Sequence, residues 1–130
     1  MTPVEFRRHL HRHPELSFRE TESARFIAEA LREAGIPCRP IAGTGVLAKI
    51  EGRGDLRRAV VLRADIDALP IREQSGAAWS SENDGVMHAC GHDIHAAVLY
   101  GTLLRLSAER NFEGTLFGIC LLYTSPSPRD

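Results

Sequence analysis

A chain of 130 residues with 43% hydrophobic and 25% charged residues has the size and balance of one folded globular domain. A formal net charge of −1 leaves no basic footprint for nucleic acid or an anionic membrane, and Lys49 is the only lysine. No apolar run nears the roughly 20 residues of a membrane span, no apolar leader core opens the chain, and an odd count of three cysteines argues for a reducing, cytoplasmic setting.

In chain order, Thr2, Pro3 and Glu5 form a T-P-x-E start for a first helix, and Pro14 stops it. A second helix is predicted from about Arg19 to Ala34. Ser17 and Glu20 are its capping pair, and Phe26, Ile27, Ala30, Leu31 and Ala34 mark its buried face. Gly35 is its stop. Residues 44–52, TGVLAKIEG, alternate as a strand does, and Arg53–Asp55 reads as a turn. Val60–Leu62 opens a strand expected to be buried, with Asp65 and Asp67 at its C-terminal end. Residues 71–84 are loop-like, with Trp79 as an anchor. A third helix from about Asp93 to Glu109 and a strand over Gly114–Ile119 follow. The order helix, helix, strand, strand, helix, strand predicts an α/β layer architecture.

Residues 120–130, CLLYTSPSPRD, break this logic. They resemble the translated read-through of a transposase-type sequencing adapter and are expected to be a non-native tail behind a unit of residues 1–119. A disordered Ser/Pro tail is the alternative.

The densest chemistry lies in VMHACGHDIHAA, Val86 to Ala97. Residues two apart in an extended segment face one side, so Cys90 and His92 converge as a thiolate and an imidazole suited to a transition metal. His88 joins them if the segment stays extended, and His95 shares the face of His92 once the helix begins. Gly91 permits an unusual backbone angle between the two. Against this stands the ordinary reading of each residue alone, a satisfied histidine and a small apolar cysteine.

In RADIDALP, Arg63, Asp65 and Asp67 alternate along one face. The C-terminal end of a strand in an α/β sheet is where ligands bind. Two carboxylates there need a cation or Arg63, and a plain Arg63 pair or turn cap is an equal alternative. His9 and His13, four apart on the first helix, are a candidate metal pair. Together with His11 they are otherwise expected at the surface or the helix end. A thiol nucleophile, Cys90 with His92 or His95, is a third chemistry. It would need an orienting partner and an oxyanion hole.

Taken together, LHRHPELSFRETESA, GTGVLAKI, LRADIDALPI and GVMHACGHDIHAA, in that order between Phe6 and Ile119, resemble the M20 family of metallopeptidases. The similar branch is the amidohydrolases of N-acyl amino acids, hippurate and indole-acetyl conjugates. The resemblance implies a partial α/β/α catalytic domain of zinc-peptidase-like fold, the family's lid domain being absent from this chain. It implies two divalent metal ions, zinc or manganese, a small N-acyl amino acid or peptide substrate, no nucleic-acid or membrane partner, and a homodimer of the parent through the lid. It maps Cys90 and His92 onto metal ligands and Asp65 onto a supporting group beside the metals. His88, His95, Asp67 and Asp93 take a supporting rank at most. The family's general-base glutamate and further ligands follow the strand that here reads GTLFGI, and this chain does not show them. The parent is therefore expected to be an amidohydrolase, and this piece alone inactive, with an exposed sheet edge and apolar patches. A non-catalytic metal-binding or interaction module is the reading from another class.

Overall fold

The computed structural model describes residues 1–121. Helix α1, Pro3–Arg12, begins as its sequence dictates. The Glu5 amide donates to Thr2 Oγ1 and the Thr2 amide donates to Glu5 Oε1, both at 3.1 Å, so each end of the box satisfies an otherwise orphaned donor. His13 caps its C-terminus directly before Pro14.

Helix α2 spans Thr21–Glu33, and its N-terminus is built differently from the expectation. Glu20 is the cap residue but makes no side-chain capping bond. Its carboxylate instead accepts from the Phe18 amide at 2.8 Å. The helix donors are satisfied from outside by Glu15, whose two oxygens accept from the amides of Ser23 (2.6 Å) and Glu22 (3.2 Å). A carboxylate there also faces the positive end of the helix dipole. Ser17 is drawn away to another partner, described below. Ile27, Ala30 and Leu31 are buried as expected, Phe26 is half-buried and Ala34 is exposed, because the helix has already ended at Glu33.

Four strands follow the order β1-β2-β4-β3 in one sheet: β1 Cys38–Ile41, β2 Gly45–Glu51, β3 Ala59–Ala64 and β4 Thr115–Cys120. The β1–β2 and β2–β4 pairs are antiparallel, and β3–β4 is parallel. Parallel neighbours need a crossover, and helix α3, His92–Glu109, lies on it. Along β2, Val46, Ala48 and Ile50 are buried while Lys49 and Glu51 are exposed, so one face of the sheet carries the core. Phe6, Leu10, Ile27, Leu31, Ile50, Ile66 and Leu103 are each no more than 2% exposed in that core. Phe6 of α1 stacks on Tyr100 of α3 at 4.3 Å between ring centroids, which locks the two helices together. A Cβ on Gly118 would lie 2.8 Å from Leu103, so glycine in β4 allows α3 to sit close on the sheet.

The architecture is thus α/β with a mixed sheet, as expected, with three differences. Strand β1 was not anticipated, since its Arg39-Pro40 centre lacks an apolar alternation and proline is tolerated only at an edge. Strand β3 is an edge rather than a buried strand, with Val60 and Val61 60% and 54% exposed. A β-branched run specifies a pleated strand but not the presence of its neighbours, and among the described residues none pairs with its outer edge. Finally, Cys120, placed with the tail by sequence, closes β4 opposite Val46 and Ala64. Residues 122–130 of that tail lie outside the described residues. No helix of the described residues is long and apolar enough to cross a membrane.

Candidate metal centre

The site forms where the chain leaves β3. Buried Ile66 anchors the segment between the two aspartates. The Ala68 amide donates to Glu15 O at 2.8 Å, and Leu69 exchanges backbone bonds with Met87 at 2.9 and 3.0 Å. These bonds bring the RADIDALP segment against the HACGH segment. Because β3 ends at Ala64, the alternation of Asp65 and Asp67 is not kept. Asp65, expected beside the metals, pairs with Arg63. Asp67, ranked second by sequence, is buried and turns to His92.

His92 opens α3, and Gly91 before it takes a left-handed backbone at φ 77°. Nδ1 of His92 lies 2.9 Å from Asp67 Oδ1 and 3.0 Å from the Asp67 carbonyl. A carbonyl can only accept, so Nδ1 carries a proton, and in the neutral ring the lone pair is on Nε2. Ser17 Oγ donates to the other oxygen of Asp67 at 3.0 Å. A carboxylate fixing the tautomer and tilt of an imidazole is the arrangement that metal-bound histidines use. Cys90 lies exposed on the loop before Gly91, and the His95 ring is 5.7 Å from that of His92.

His88 is buried at 4% exposure, and neither ring nitrogen has a hydrogen-bond partner. Burial, with the nearby His11 and His92, pulls its pKa down to about 4 against the opposing pull of Asp93 and Asp67. It is therefore a neutral imidazole with an unused lone pair near pH 7. Among the described residues no three His, Cys, Asp or Glu side chains converge to enclose a metal ion. The thiol of Cys90, the Nε2 of His92 and the orphaned nitrogens of His88 are donors of the types a transition metal takes.

Behind the site lies a network that sequence reasoning missed. His11, expected near the surface, is buried. Its Nδ1 is 2.8 Å from Asp93 Oδ2 and its Nε2 is 2.9 Å from Glu73 Oε2. Arg7 Nε donates to the same Asp93 oxygen at 2.7 Å. Burial acts to raise the Glu73 carboxyl, but hydrogen bonds from Ser75, His11 and the Ser81 amide outweigh it and hold the pKa at about 2. One signal was available: Arg7 and His11 are four apart on α1 and present two donors to one side of the helix.

Residues 61–124 match Peptidase family M20/M25/M40. The N-acetyl-L-cysteine deacetylase of Bacillus subtilis is 49% identical over 109 residues, 83% of this chain and 26% of that protein. The N-acyl-L-amino acid amidohydrolase of Geobacillus stearothermophilus is 48% identical over 109 residues, 83% of this chain and 29% of that protein. Among solved structures, a dinuclear metal-binding peptidase of the M20 family from Bacillus subtilis superposes with a TM-score of 0.87 at 45% identity, over 91% of this chain and 34% of that one. Aminoacylhistidine dipeptidase from Vibrio alginolyticus, at 19% identity and a TM-score of 0.62, shares the fold alone. The chain spans about a quarter to a third of the length of these relatives.

Proposed function

We propose that this chain, which matches the M20/M25/M40 family over residues 61–124 and a solved M20 peptidase over 91% of its length, supplies one part of the metal centre of an amidohydrolase that cleaves the amide bond of N-acyl amino acids or small peptides. The observation that carries this reading is the Asp67–His92 pair, which leaves an oriented Nε2 two residues from the Cys90 thiol. Cys90 and His92 would hold one of two divalent ions, zinc or manganese. Such an ion, when bound, polarises the amide carbonyl and lowers the pKa of a bound water towards ~7.

The chain's own residues position the donors. Asp67 holds the His92 ring and Ser17 holds Asp67. Arg7 and His11 clamp Asp93, the residue after His92, and so tie the first turn of α3 to α1. Asp65, held by Arg63, supports the segment rather than the ring. The general base and remaining donors come from the portion of the relatives that this chain does not span. We place the whole protein in the cytoplasm on the odd cysteine count of this chain, and we expect it to dimerise through the lid domain implied by the resemblance.

The test uses the full-length protein that carries this segment. Hydrolysis of an N-acetyl amino acid should be lost on chelation and restored by zinc or manganese, and His92→Ala should lose bound metal. Turnover indifferent to chelation and to His92→Ala would overturn the reading. In Cys90→Ser, activity that tracks metal content excludes a thiol nucleophile.

A further inference from the structure

The His9–His13 pair lies outside the site just described and has no role in it. Both residues line a groove of about 480 Å³ between α1 and α2 that is closed on one side by Glu82 and Asn83. The groove wall is fixed by two bonds: the Glu82 amide donates to Arg12 O at 2.8 Å, and Asn83 Nδ2 donates to Pro14 O at 3.2 Å.

Within the groove the two imidazoles lie 4.6 Å apart between ring centroids, tilted by 49°. Two imidazoles that each give one nitrogen to a shared ion at about 2.0–2.1 Å, at a tetrahedral or square angle, hold their ring centres roughly 4.5–5 Å apart. The observed spacing lies at the square-angle end of that range. The His9 ring is also braced: it stacks on Phe26 of α2 at 3.8 Å and 9°. A pre-set ring loses little rotamer entropy on binding.

We propose that His9 and His13 form a two-imidazole chelate for a divalent transition-metal cation, separate from the Asp67–His92 centre. Its preference follows the general order for nitrogen donors, copper above nickel and zinc. Water completes the sphere, since among the described residues no third His, Cys, Asp or Glu converges with the pair. The groove offers an acceptor for those waters in the Glu82 carboxylate. Binding ties the last turn of α1 to the residue that caps it, ahead of the Pro14–Ser17 segment.

The test is nickel and copper titration of the untagged 130-residue chain at pH 7.5. One variant, Cys90→Ser with His92→Gln, removes the donors of the other site. A second, His13→Ala, changes an exposed ring and so leaves the fold intact. Nickel affinity should stay within about twofold in the first variant and fall at least tenfold in the second. Substoichiometric copper should broaden the ring-proton NMR signals of His9 and His13 first. Unchanged nickel affinity in His13→Ala, or broadening centred on His92 and His95, would overturn the proposal.

Discussion

Nδ1 of His92 donates to the Asp67 carboxylate across 25 residues of sequence, at 2.9 Å. The bond decides which nitrogen of the neutral ring is free, so on the proposed reading Asp67 would act on a metal it does not touch. Asp67→Asn, in the full-length protein, should weaken metal binding by about 10–100-fold while the thermal melt stays close to that of the parent. Competition with a chromophoric chelator measures the first, and circular dichroism the second. Ser17→Ala should shift metal binding the same way and less.

His11 joins two carboxylates from distant segments, all three side chains being 6% exposed or less. Removing it leaves Glu73 and one side of Asp93 buried without their partner. His11→Ala should cost about 3 kcal/mol of folding stability, read from urea denaturation of the chain.

The same cluster predicts an acid limb. Glu73 is held at about 2, below its ordinary 4.5, so the stabilisation it provides is complete above about pH 4.5. It is lost as pH falls from there towards 2, where the folded carboxylate protonates. Urea midpoints measured from pH 5 to 2 should drop steeply in the parent chain and less steeply in Glu73→Gln.

The three thiols should react in a fixed order. Cys90 is exposed, Cys38 is half-buried with Sγ 3.6 Å from Ala28 O, and Cys120 is buried with its pKa pushed up to about 12. Maleimide labelling followed by mass spectrometry should modify Cys90 first and leave Cys120 untouched until the chain unfolds.

The free edge of β3 should make the chain self-associate. Val60 and Val61 are apolar and more than half exposed on a strand whose outer edge is unpaired among the described residues. Val61→Lys, which places a charge on that edge, should raise the concentration at which light scattering first reports aggregates. Incubated with an N-acetyl amino acid and zinc or manganese, neither form should release free amino acid.

What could be read from sequence divides by range. The α1 box was legible because Thr2, Pro3 and Glu5 satisfy one another within a single turn. Cys90 and His92 were legible as candidate donors, from residue type and spacing. The partner of His92 was not, because Asp65 and Asp67 are equivalent until the point where β3 ends is known. His11 was misplaced for a related reason: a histidine in a run of Arg and His reads as solvated until Asp93 and Glu73, far along the chain, are seen to meet it. The apolar run of β3 was read correctly as a strand, but burial depends on neighbours that its own residues do not encode.

Four consecutive residues, Pro14 to Ser17, are not among the proposed donors, yet every one of them fastens another segment. The Pro14 carbonyl takes Asn83, the Glu15 carboxylate starts α2 while its carbonyl takes Ala68, Leu16 bridges to Ala68, and Ser17 reaches Asp67. The stretch behaves as a keystone. A lesion anywhere in it would mimic an active-site defect by letting the arch sag, and a melting curve recorded beside the activity assay would tell the two apart.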